Sequence, residues 1–365
     1  MISYTGRNRR TVNYLKTLYF DFPEWTPVNV WFLPATWMKH RERLDELLLA
    51  HPRVFPAFKK GSIDYSFPDL AGTLYEFGRH KDCWGTIWNN IAAGFDSQVE
   101  FEPLSDWAAF DDWKKRLPDP MKDDVFGPRN WANVAKWMKD SKAAGGLADG
   151  GGLPHGMFFM RLYYLRGFEN LMMDLAVDDP RLHELVGIIE RYNVAVIGKM
   201  LELGAETMGL AEDLGMQTSL PVSPAMWRKF VKPTYEAMCG PCRDRGVPVC
   251  LHCDGHILEI IPDLIECGVR LLNPQFRANG LEGLRQVARG KVTLNQDIDR
   301  QLFPFATPRQ MEEHIGQVMD GLYLKEGGLM LSVECGPDVP LENIDAVCRA
   351  AEKLCNLPDP KECPI

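Results

Sequence analysis

The stretch "VPVCLHCDGHILEIIPDLIECGVRLLNPQ" (247–275) decides how the chain is read. It opens with a short β-branched apolar run, turns at a polar segment containing Gly255, continues with a helix-like segment ending at Gly268, and closes on a second apolar run. Strand, loop, helix and strand in that order form a βα succession, the unit of parallel sheets.

Working outward, the same alternation extends in both directions. Candidate strands are "VNVWFLP" (28–34), "GMFFMR" (156–161), "AETMGLAED" (205–213), "VPVCLHC" (247–253), "VRLLNPQ" (269–275), "KVTLNQD" (291–297) and "LMLSVEC" (329–335). Helix-like segments such as "LEGLRQVARG" (281–290) end in Gly, which suits a left-handed C-cap. Seven or eight strands in this order predict an α/β fold, a TIM (β/α)8 barrel, as one domain over 1–365. Residues 1–27 then form an N-terminal extension, and the Pro-, Trp- and Gly-rich region of about 60–150 a hairpin and loop insertion. The run "AAGGLADGGGLP" (143–154) reads as a flexible loop. A doubly wound open sheet is the competing architecture, but no strand is followed by the glycine-rich phosphate turn such sheets use.

Composition narrows the function. With 45% apolar and 25% charged residues the chain is globular. A net charge of −9 argues against nucleic acid as a partner. No apolar run is long enough for a membrane span and none follows "MISYTGRNRR" as a signal h-region, so the expected location is the cytoplasm. Ten scattered cysteines fit reduced thiols rather than a disulfide framework. "CGPC" (239–242) copies a redox dithiol, but it follows a helical stretch instead of opening one; it reads as structural, in a helix-to-strand connection.

In a TIM barrel the chemistry lies at the C-terminal strand ends. There, alternation puts His252 and Asp254 on one face of their strand and Cys253 on the other. Cys335 ends the last strand, and Glu212 with Asp213 ends another. Imidazole, carboxylate and thiolate together form a donor set for Zn2+, so His252, Asp254, Cys335 and Glu212 are the candidate ligands. Asp213 or Glu212 is placed for acid-base work. Trp31 and Trp84, with Trp37, are candidates to line an aromatic substrate pocket, and Asn295 to hydrogen-bond the substrate.

The segments "LRGFENLMMDLAVDDP" (165–180), "EDLGMQTSLPVSPAMWRKFVKPTYEAM" (212–238), "LHCDGH" (251–256), "GVRLLNPQ" (268–275) and "VECGPDVPLENIDAV" (333–347) resemble the uroporphyrinogen decarboxylase superfamily. That resemblance implies a TIM barrel and two kinds of activity, porphyrinogen decarboxylation or zinc-dependent methyl transfer with a cobamide. Where the decarboxylases carry an arginine-bearing segment for their polyanionic substrate, this chain has "FLPATWMKH" (32–40), with no arginine. The methyltransferase branch implies a His-x-Cys and a distant Cys as zinc ligands. Here these are His252, Asp254 in place of the first cysteine, and Cys335, with Cys253 one residue out of register. A carboxylate in place of a thiolate leaves a harder metal, suited to a methyl donor whose leaving atom is oxygen, such as an aromatic methyl ether.

Nothing in the chain resembles a "DxHxxG" cobalamin module, so the resemblance implies a cobamide presented by a separate corrinoid protein, with this chain a monomer or homodimer. Two other classes are open. One is a lyase on a smaller carboxylated substrate, for which Asp82 in "KDCWG" (81–85) is the residue to examine; the other is a noncatalytic corrinoid-docking protein.

Overall fold

The computed structural model describes residues 4–67, 76–95, 97–361 and 363. Residues 1–3 of the expected extension, and 68–75 and 96 of the expected insertion, lie outside them. In chain order the strands are β1 (Val28–Phe32), β2 (Gly78–Lys81), β3 (Ile87–Asn90), β4 (Gln98–Phe101), β5 (Asp123–Asp124), β6 (Gly127–Pro128), β7 (Met208–Asp213), β8 (Val249–Asp254), β9 (Val269–Pro274), β10 (Thr293–Asp297) and β11 (Leu329–Cys335). Residues group into two compact units: 1–69, 144–146 and 270–365 in the first, 70–143 and 147–269 in the second.

In the first unit β1 pairs with β11, β11 with β10 and β10 with β9, all parallel. β11 is buried along almost its whole length, as a parallel strand covered on both faces must be. The helices Pro308–Leu322 and Leu341–Leu354 follow β10 and β11, the former opened by a reciprocal Thr307–Gln310 capping box. Of the N-terminal extension, the helix Arg9–Leu18 starts on the Asn8 side chain and delivers the carbonyls of Thr17 and Leu18 to the Thr293 hydroxyl at the start of β10.

In the second unit β7 and β8 are parallel, with Ala211 opposite His252 and Asp213 opposite Asp254. Both strands alternate buried and half-buried residues, so Met208, Leu210 and Glu212 face inward on β7, as do Val249, Leu251 and Cys253 on β8. The long helix Pro180–Glu202 begins on the Asp179 carboxylate and buries Leu182, Leu185, Ile189, Val196 and Ile197 at helical spacing. The insertion contributes the antiparallel sheet β2-β3-β4 and the β5-β6 hairpin.

Six of the seven candidate strands form. The exception is "GMFFMR", where the helix Phe159–Arg166 begins instead. Its residues are apolar because the helix is buried on nearly every side, and a short apolar run does not separate buried helix from buried strand. The segment that lies alongside β7 is the glycine-rich one just upstream. Glu206 N–H donates to Ala148, Leu153 N–H to Gly209 and Gly156 N–H to Ala211, while Asp149 bridges Thr207 in parallel sense. It is therefore no flexible loop. Gly152 lies so close to β7 that a Cβ there would stand 2.2 Å from the Gly209 carbonyl oxygen, and its φ is +74°. "CGPC" also differs from expectation, since the helix Lys232–Asp244 continues through it with Pro241 inside.

Candidate metal centre

The second unit gathers its polar chemistry where the Gly-rich segment, β7 and β8 end. Among the described residues, the group able to surround a cation is His155, Asp213 and His252, whose ligand atoms lie within 4.8 Å of one another. His155 Nε2 is 3.1 Å from Asp213 Oδ1, and the two imidazole centroids are 5.8 Å apart. All three are partly open to solvent, with side-chain exposures of 43%, 31% and 35%.

Electrostatics bind the group together. Burial disfavours a charged imidazole at His155, but the Asp213 hydrogen bond and the carboxylates of Asp213, Glu212 and Asp254 outweigh it and raise the pKa. Burial likewise works against charge on Asp213, and His155 and His252 reverse it, lowering that pKa. Asp254 Oδ1 lies 3.8 Å from His252 Nε2, within ion-pair range of the imidazole.

The strand ends are fixed by two devices. Glu212 is fully buried and accepts from Phe158 N–H at 2.7 Å and Phe159 N–H at 2.6 Å, so it caps the Phe159–Arg166 helix. Burial pushes its pKa up to about 7 against the downward pull of those N–H groups. The loops after β7 and β8 touch backbone to backbone: His256 N–H donates to Met216 at 2.7 Å, and a Cβ on Gly215 would stand 2.3 Å from His256 N.

The sequence candidates are distributed as follows. His252 and Asp213 are in the cluster. Glu212 is committed to the helix N-terminus, and Asp254 stands beside His252. Cys335 ends β11 in the first unit, fully buried, with its thiol pKa raised by burial and then by Glu334. Cys253 faces the interior, where its sulfur accepts from Leu214 N–H. Trp31 is 39% exposed on β1 and Trp37 is buried against Phe32 and Phe58. Trp84 is enclosed by Trp113 and Tyr192. Asn295 is on β10, its carbonyl accepting from Asn273. Asp82 is wholly consumed: Arg161 at 2.7 Å, Trp88 Nε1 at 3.0 Å, and the N–H groups of Trp84 and Thr86 surround its two oxygens.

His155 was not among the sequence candidates. Its signal is a lone histidine in the Gly-rich run "GGGLPHG" (150–156), which carries meaning only because the run lies alongside β7. The cysteines carry no comparable signal. All ten are free thiols and eight are buried; burial pushes Cys242 up to about 11 and raises Cys239.

Two nitrogens and one carboxylate oxygen fit a catalytic divalent metal, with coordination positions left for substrate. The set also fits zinc without any thiolate.

The uroporphyrinogen decarboxylase (URO-D) family profile matches residues 156–354. No curated protein sequence matches the chain. Among solved structures, a methyltransferase from Methanosarcina mazei superimposes with a TM-score of 0.60 at 16% identity, over 95% of this chain and 99% of that one. Weaker matches are Xanthomonas albilineans dihydropteroate synthase (TM-score 0.28, 14% identity, 39% of this chain and 52% of that one) and Pyrococcus furiosus thiamine phosphate pyrophosphorylase (0.22, 13%, 51% and 78%). The fold is thus the TIM barrel of the matched family, in a form shared with a methyltransferase.

Proposed function

As the chain belongs to the uroporphyrinogen decarboxylase (URO-D) family, we propose that it is a methyltransferase. It moves a methyl group between a small methylated substrate and a cobamide carried on a separate corrinoid protein, with zinc held by His155, Asp213 and His252. The observation that carries this reading is the convergence of those three donors at adjoining ends of one unit. A bound zinc ion supplies Lewis acidity to the leaving heteroatom of the methyl donor.

The protein's own part is to hold and orient. Asp254, 3.8 Å from His252 Nε2, adds a negative charge beside the imidazole. Glu212 fixes the strand end that bears Asp213. With no thiolate in the set the metal stays hard, which favours a donor whose methyl leaves oxygen, such as a methoxylated aromatic, over a thioether. Trp84 serves packing, enclosed by Trp113 and Tyr192. Asp82, the residue raised for the lyase alternative, has both oxygens engaged by Arg161, Trp88 Nε1 and the N–H groups of Trp84 and Thr86, which speaks for a supporting role in this reading.

Metal analysis of protein purified without chelators tests this. About one zinc per chain is expected, lost in His155→Ala and in His252→Ala and kept in Cys335→Ala. Methoxylated and methylthio compounds are then screened with reduced cobalamin. A metal-free wild type, or methyl transfer undiminished in the two histidine variants, overturns the reading.

A further inference from the structure

Met160 lies in the first turn of the Phe159–Arg166 helix and grips two successive residues at the end of β7. Its backbone N–H donates to Glu212 Oε2 at 3.4 Å, and its thioether sulfur accepts from the Asp213 N–H at 3.1 Å. The same sulfur accepts from the Tyr164 hydroxyl one turn further along, at 3.8 Å. The Tyr164 ring meets Trp88 of the insertion edge-on, with centroids 4.8 Å apart, and the Arg161 guanidinium lies 5.4 Å from its centre. Arg161 and Trp88 converge on Asp82, also in the insertion, within a pair whose side chains are 2% and 0% exposed.

We propose that Met160 is a positioning residue for the metal ligand Asp213, and that Tyr164 locks its thioether so that the insertion supports the ligand set from outside. This rests on the metal reading given above. A buried methionine has three free torsions, so a thioether held at a single backbone N–H needs something to fix its rotamer. The Tyr164 hydroxyl does that, and Tyr164 is itself wedged between Trp88 and Arg161. Leucine at 160 would keep the volume and lose the acceptor, leaving the Asp213 N–H without its partner and the carboxylate free to swing.

Zinc affinity, by chelator competition, and the cobalt(II) d–d spectrum are read in the full chain. Met160→Leu is expected to raise the zinc Kd by roughly tenfold or more, in the range for outer-shell residues, and to alter the cobalt(II) band. Tyr164→Phe should shift both in the same direction by less. Met238→Leu, a fully buried methionine on the Lys232–Asp244 helix, should leave both unchanged. If the wild type binds zinc and Met160→Leu and Tyr164→Phe bind it equally well, this proposal fails and the metal reading stands. If Met238→Leu weakens zinc as much as Met160→Leu, the effect is general loosening and the proposal fails too. A wild type that binds neither metal removes both readings.

Discussion

Glu212 occupies a position where an unpartnered carboxylate would be prohibitively costly, and it is tolerated because helix N–H groups surround its oxygens. Glutamine at this position must turn its amide nitrogen toward one of those N–H groups. Glu212→Gln should therefore lower unfolding free energy by about 1–3 kcal/mol, seen as an earlier urea midpoint at constant slope. An unchanged midpoint would mean that the helix end is satisfied elsewhere. At this scale the sequence was only partly legible. His252, Asp213 and Glu212 could be picked out because strand ends are where barrel chemistry gathers. His155 could not, because its position depends on a non-repeating backbone path that no periodicity marks. The different roles of Glu212 and Asp213, neighbours in sequence, follow from strand alternation together with the start of the Phe159–Arg166 helix, where the sequence reads as a strand.

Among elements, two differences from the sequence reading share one place: the apolar run 156–161 reads equally as buried strand or buried helix, and the segment beside β7 reads as a loop because glycine ordinarily marks turns. The glycines are there for proximity. Gly152→Ala would force a Cβ against the Gly209 carbonyl at a positive φ, and should cost at least about 1–3 kcal/mol, measured by thermal melting. The Pro180–Glu202 helix offers a second check. Asp179 accepts from Arg181 N–H, and the Arg181 side chain, ahead of the opposing effect of burial, holds its pKa at about 2. Removing the cap by Asp179→Ala should cost about 1 kcal/mol at neutral pH. Since the folded pKa lies below the ordinary 3.8, this contribution is whole above about pH 4 and is lost as pH falls through about 2. The two proteins' melts should accordingly draw together as the pH is lowered from 4 toward 2; a gap at pH 2 as wide as that at pH 7 would contradict the assignment.

For the whole molecule, the strand succession was the most legible feature, because burial on both faces writes itself as unbroken apolar runs. The insertion was visible as a change of composition, but not its sheet, whose strands are short and held by the Asp82–Arg161 pair and by aromatic contacts. Asp82→Asn leaves Arg161 without its counter-charge and should destabilise by about 3 kcal/mol or more. Limited proteolysis should then cut first within the insertion. A metal bound only by the folded chain adds about 2.7 kcal/mol when it is a hundredfold above its Kd, so chelator should lower the melting temperature and added zinc restore it. Among the described residues no helix is long and apolar enough to cross a membrane. The burial of the thiols has a practical corollary. Only Cys83 and Cys250 are even half-accessible, and desolvation pushes Cys83 up to about 12. At neutral pH a maleimide dye should react far faster with a cysteine engineered onto the surface than with any native one. Fluorophores could thus be attached in pairs to report distances in solution without first stripping the chain of its own sulfur.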